Sequence, residues 1–130
     1  MIEFVQPQWP APATVSAFCT TRVGGVSAVP FDSLNLALHV GDDTARVTAN
    51  RKRLRAQLGL PAEPCWINQT HGTRAVTLEQ DSERDADAAI TRKAGTVAVV
   101  MTADCLPILI CNRSGTEVAA VHAGWRGLQA

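Results

Sequence analysis

The chain is short of several things, and each shortage narrows what it can be. No apolar run approaches the roughly twenty residues needed to span a bilayer, so a membrane is not an expected partner. No charge of one sign dominates: 12 Lys and Arg balance 12 Asp and Glu. That leaves no electrostatic reason to expect nucleic acid or an anionic membrane. The segment Met1-Ile2-Glu3-Phe4-Val5-Gln6-Pro7 lacks the basic and apolar regions of a secretory signal, and the expected location is cytoplasmic. The four cysteines, Cys19, Cys65, Cys105 and Cys111, form no CxxC pair. In a reducing compartment they are expected as thiols. Cys19, Cys65 and Cys111 read as small buried hydrophobes, whereas Cys105 stands at a strand boundary between Asp104 and Leu106-Pro107. Histidine occurs three times, at His39, His71 and His122.

What is present suffices for one modest domain over residues 1–130 with a real core. The composition is 46% hydrophobic and 18% charged, which is ordinary for a globular protein. The stretch from Gly95 to Arg126 organises the rest. It contains three apolar runs, 96–102, 106–111 and 117–122, bounded by Gly, Asn and Ser. These read as neighbouring buried strands of one sheet. Cys105 opens the second and His122 ends the third, so both belong at strand ends, where polar groups gather into clefts.

Earlier in the chain, Val15 to Thr21 reads as a strand. The pair Gly24-Gly25 marks a tight turn or a close backbone approach. Arg22 beside it suits a phosphate or carboxylate, although spacing alone favours an ordinary surface arginine. Thr44 to Leu58 is the clearest helix. Val47, Leu54 and Leu58 form its apolar face, and Arg51, Lys52, Arg53 and Arg55 make a solvated one. Asp43 is its expected N-cap, and Gly59-Leu60-Pro61 carries a glycine stop followed by proline. His39 and Asp43 read as loop and cap rather than as metal ligands. Trp66 to Leu78 reads as two strands broken at His71-Gly72, and Asp81 to Asp87 as a polar connection.

His71, Cys105 and His122 could form an N/N/S zinc site with its fourth position open, the pattern of a catalytic centre. Their separations, 34 and 17 positions (71 to 105, 105 to 122), match no compact zinc motif. Cys105 as a nucleophile with His122 as its base is an equally consistent reading, because both chemistries need a thiolate near an imidazole.

Four segments carry a resemblance. They are TTRVGGVS at Thr20 to Ser27, SLNLALHVGDD at Ser33 to Asp43, WINQTHGTRAV at Trp66 to Val76, and VMTADCLPILI with AAVHAGWRGL within Val100 to Leu128. In these the chain resembles the N-terminal half of the laccase-domain family, also called the YfiH-like or multicopper polyphenol oxidase family. The resemblance implies an α+β fold with mixed sheets packed face to face and flanking helices. It also implies a His–Cys–His zinc site at His71, Cys105 and His122. The implied activities are phosphorolysis of adenosine, inosine or methylthioadenosine and deamination of adenosine. Alternatives are amidase editing of peptidoglycan precursors, copper-dependent polyphenol oxidation, and a truncated zinc-binding domain without turnover. Three histidines are few for a multicopper centre. Within the family pattern Arg22 and Arg126 become phosphate holders and Asn35 a substrate contact. Asp104 becomes a proton carrier or an orienting group. The expected partners are a purine nucleoside and phosphate. Self-association is expected if the sheet lacks its covering.

Overall fold

The structure, a computed structural model, describes residues 1–129. It is mixed α+β, with two sheets and two helices. Contacts divide it into two compact units. The first comprises Met1–Trp9 with Ala17–Leu60, and the second comprises Pro10–Ser16 with the chain from Pro61 onward. Among the described residues no helix is long and apolar enough to cross a membrane.

The first unit is built on one helix, α1 (Thr44–Gln57), beside a short antiparallel pair, β1 (Phe4–Val5) and β2 (Cys19–Thr20). The strand expected over 15–21 is realised only as β2, and Cys19 is exposed rather than buried. The helix ends follow the expected chemistry. Asp43 accepts a hydrogen bond from Ala45 N–H at 2.9 Å as N-cap. Gly59 takes φ +60, and its N–H and that of Leu60 bond to the carbonyls of Ala56 and Arg55. That is the paired bonding of a Schellman stop.

The inner face of α1 differs from a simple apolar stripe. Val47 and Leu54 are buried, and between them Asn50 is buried completely. Asn50 Nδ2 donates to Ser27 Oγ and to the carbonyls of Ser33 and Asn35, and its Oδ1 accepts from Val26 N–H. A buried amide with every group paired is stable where an unpaired one costs about 1–3 kcal/mol. The basic face is only partly solvated. Arg51 donates to Leu36 O and Arg53 to Gly24 O, so two of the four cations fasten loop carbonyls. Gly24 and Gly25 are a close approach. A Cβ on Gly24 would overlap the backbone of Met1 and Ile2, and one on Gly25 that of Ser33.

The second unit is a four-stranded sheet in the order β3 (Ala75–Thr77), β4 (Ala88–Thr91), β6 (Val118–Ala123), β5 (Leu106–Cys111). β3 and β4 run parallel, and the other pairs are antiparallel. The hairpin of 106–111 with 118–123 is as expected. The run 96–102 is not its third strand: it makes only an isolated bridge, Ala98 to Cys65. The central neighbour of β6 is instead β4, within a stretch that reads as a connection because Ala88-Ala89-Ile90-Thr91 is short and its residues are small.

Alternation along the strands places Val76, Ala89 and Ala120 on the covered face, where Val76 and Ala89 pack with Ile67, Leu78 and Ala86. Val100, Ala98 and Cys65 pack against that cluster. Leu106, Ile108 and Ile110 alternate onto the other face and stand 66%, 41% and 51% exposed. The expectation that 106–111 is among the most buried segments therefore fails. β5 is an edge strand, and the core lies over the opposite face of its sheet. Pro107 suits that edge. His122 N–H bonds to Asp87 O on the β4 side, so the Pro107–His122 pair needs no donor from residue 107.

Candidate functional site

The site lies in the second unit, where β6 ends and two loops meet it. His122 occupies the second-to-last position of β6 and is buried, 4% exposed. Its Nδ1 lies 2.8 Å from Asp87 Oδ2. Asp87, the residue before β4, is also buried, at 3%. An ionised carboxylate only accepts, so Nδ1 carries a hydrogen, and in the neutral ring Nε2 then holds the lone pair.

The other carboxylate oxygen of Asp87 holds the loop that bears His71. Thr70 N–H, Thr70 Oγ–H and Gly72 N–H donate to Oδ1 at 2.9, 2.7 and 3.1 Å. His71 lies between these donors with φ +57, the left-handed region that a non-glycine residue adopts only when its surroundings hold it there. Burial raises the Asp87 pKa, but the donors from Gly72, Thr70 and His122 more than offset this and hold it at about 2.

The His71 and His122 rings meet edge to face, with centroids 5.2 Å apart. Cys105 comes from the bend before β5. Gly124, just after β6, shows how close it lies: a Cβ there would stand 3.2 Å from His122 Cε1 and 3.6 Å from Cys105 Sγ. Glycine at 124 therefore keeps open a space that both side chains border. Gly127, in the helix α2 (Trp125–Gln129), lets the backbone close on the His71 loop, since a Cβ there would stand 2.7 Å from Gly72 O. The Gln69 amide donates to Met101 O and ties the same loop to the segment leading to Cys105.

The structure thus makes neighbours of His71, Cys105 and His122. Among the described residues no group of three or more His, Cys, Asp or Glu is placed as it stands to hold a metal ion. The donor chemistry nonetheless fits zinc. Two imidazoles and a thiol border one space, and the buried imidazole has a carboxylate on its far nitrogen, the arrangement that orients metal-ligating histidines. His39 belongs to the first unit and is exposed.

The remaining expected residues are placed as follows. Asp104 is exposed beside Cys105, and Arg126 is exposed with its guanidinium 5.3 Å from the Trp125 ring. Arg22 and Asn35 belong to the first unit. Arg22 pairs with Asp32, at 3.1 Å to its carboxylate and 2.8 Å to its carbonyl. Asn35 donates to Asp42 and Ala37 O and accepts from Ala37 N–H. Both are engaged in holding their own loop. All four cysteines are free thiols.

Asp87, which binds both the His122 ring and the His71 loop, has little in the sequence to mark it. Its only signal was an acid set directly before a small apolar run, Asp87-Ala88-Ala89-Ile90, where an aspartate usually marks a turn.

The chain resembles known proteins over nearly its whole length. The chain is 55% identical over 130 residues to the purine nucleoside phosphorylase YfiH of Shigella flexneri, covering 98% of this chain and 54% of that protein. It is 52% identical to a purine nucleoside phosphorylase of Pseudomonas aeruginosa, covering all of this chain and 53% of that one. Among solved structures, a Neisseria meningitidis protein superposes with a TM-score of 0.88 at 48% identity, over 97% of this chain and 52% of its own. YlmD from Geobacillus stearothermophilus superposes with a TM-score of 0.83 at 35% identity, over 96% and 51%. The chain spans about half the length of the curated relatives it matches. The multi-copper polyphenol oxidoreductase laccase family matches residues 16–130, which includes every residue of the site, and the chain belongs to that family.

Proposed function

We propose that this chain carries the zinc-binding half of a purine nucleoside phosphorylase, with His71, Cys105 and His122 as ligands. The observation that carries the reading is the buried Asp87–His122 pair opening onto the space that Gly124 leaves beside Cys105. The relatives' names supply the substrate class. When bound, zinc supplies Lewis acidity. The chain's own residues do the rest. Asp87 fixes the His122 ring, and the bare Gly124 gives substrate access. Arg126 offers an exposed guanidinium for the phosphate that displaces the base from C1′. Asp104, exposed beside Cys105, is the proposed carrier of the proton that the departing purine requires. Adenosine, inosine and methylthioadenosine are the proposed nucleosides, with deamination of adenosine as a further activity of the same centre.

The same geometry favours one second reading. Cys105, His122 and Asp87 are also the three residue types of a cysteine hydrolase, with a thiol, a base and a carboxylate on the base's far nitrogen. That reading makes the chain a cysteine amidase acting on a peptidoglycan precursor. The polyphenol oxidase reading draws less support, because three imidazoles are few for a multicopper set.

The test is to incubate the chain, joined by the remaining half of a full-length relative, with adenosine or inosine. The expected result is free base released only with phosphate and abolished by a zinc chelator. No base release, together with chelator-resistant cleavage of the precursor that iodoacetamide stops, would replace this reading with the amidase.

A further inference from the structure

We infer that Asp87 is the positioning residue of this site, a single carboxylate that sets the His122 tautomer and the His71 loop together. Its two oxygens have separate tasks. Oδ2 takes His122 Nδ1, while Oδ1 takes three donors from Thr70 and Gly72, the residues on either side of His71. Its backbone takes part as well: Asp87 O accepts His122 N–H at 2.7 Å, and Asp87 N–H donates to Arg74 O at 3.0 Å. One residue therefore joins β6 to the loop through five bonds that it accepts, four of them on the side chain. Two amides converging on one oxygen hold the backbone between them, which accounts for His71 keeping a left-handed φ without being glycine.

The division of tasks makes an unusual prediction for Asp87→Asn. The amide that replaces the carboxylate has one acceptor and one donor group. Facing its oxygen to the loop keeps three hydrogen bonds; facing its NH2 there would set a donor against two backbone N–H donors and leave only the Thr70 hydroxyl to accept. The loop therefore fixes the amide, and the NH2 turns to His122. Nδ1 must then accept, the ring hydrogen moves to Nε2, and the nitrogen left for a ligand is blocked. Asp87→Asn should keep the loop and lose the ligand. Asp87→Ala should release both.

The metal arm of this inference rests on the zinc reading, and the metal-free arm does not. In the metal-free protein, nitrogen-15 spectra of the imidazoles should show His122 as the Nδ1–H tautomer, with the Thr70 and Gly72 amides slow to exchange. Asp87→Asn should shift His122 to Nε2–H with those amides still protected, whereas Asp87→Ala should expose them. Zinc affinity in Asp87→Asn should fall about 10–100-fold, the usual effect of removing a carboxylate behind a ligating histidine. The inference is overturned if metal-free wild-type His122 carries its hydrogen on Nε2, or if Asp87→Asn binds zinc as tightly as wild type. The wild-type tautomer decides the matter should the variants fail to fold. A wild-type chain with the expected tautomer and no zinc binding would sink the zinc reading and leave the clamp standing.

Discussion

Each unit is organised around a buried polar knot, and the two knots end differently. In the first unit Asn50 gathers Val26, Ser27, Ser33 and Asn35 onto α1. Asp42 extends this network by accepting from Ser27 Oγ at 2.5 Å and from Asn35 at 3.1 Å. Most of these bonds end on a backbone group or on another loop side chain that is itself paired. In the second unit Asp87 gathers Thr70, Gly72 and His122 in much the same way, but its last bond ends on an imidazole whose second nitrogen the proposed reading gives to a ligand. A knot closed on itself holds a loop. A knot that ends on a ring with a spare lone pair also aims chemistry. Glycine marks the same distinction. Gly24 and Gly25 let backbone meet backbone, while Gly124 leaves space beside a thiol and an imidazole.

The largest expected effect lies in the closed knot. Asn50→Ala removes one acceptor and the amide donors at a fully buried position, stranding Val26 N–H and the Asn35 carbonyl and leaving the Ser33 carbonyl with Ser27 N–H alone. The expected cost is roughly 3 kcal/mol, from about 1–3 kcal/mol for each buried group left unpaired. Amide exchange along α1 should accelerate to match. A loss well under 1 kcal/mol would mean that water replaces the amide and that the first knot is not structural.

A smaller effect sharpens the comparison through pH. The Asp42 pKa lies below its ordinary 3.8, first because Ser27 donates to it, against a raising by burial, with Asn35, the Asp43 N–H and the Arg46 charge adding to the lowering. A lowered folded pKa means that the unfolded chain binds the proton more tightly. The stabilisation from Asp42 is therefore complete above the ordinary value and is lost as pH falls through the lowered one. Unfolding followed by α1 amide exchange between about pH 5 and pH 2 should show this loss, and Asp42→Asn should flatten it. An unchanged slope in Asp42→Asn would remove Asp42 from the knot.

Much of both knots' scaffolding was legible in the sequence. Asp43, Gly59 and Leu60 carry cap chemistry that depends on neighbours within a few positions, and α1 begins and stops where they direct. The hairpin of β5 and β6 was legible because two apolar runs flank the turn Asn112 to Thr116, whose polar groups bond to one another. The motifs around His71, Cys105 and His122 also drew attention to residues that the fold makes neighbours. What was not legible depends on distant partners. Asn50 looks like a surface residue of a basic helix until Ser27 and Ser33 are brought to it. β4 is four small residues with no pattern strong enough to announce a central strand. Leu106, Ile108 and Ile110 look like core, and are exposed because sequence alternation shows that a strand has two faces without showing which one is covered. Asp87 was lost for the same reason as Asn50: its three side-chain partners, Thr70, Gly72 and His122, lie 15–35 positions away.

The central claim is that His71, Cys105 and His122 act together on one zinc ion. X-ray absorption at the zinc edge tests it most directly, using the zinc-loaded chain and its Cys105→Ser variant. The account predicts one sulfur at about 2.3 Å and two imidazole nitrogens at about 2.0 Å in the wild type. The variant should lose the sulfur shell together with most of the bound metal. A wild-type spectrum with only oxygen and nitrogen neighbours, or a sulfur shell that survives Cys105→Ser, would contradict the account.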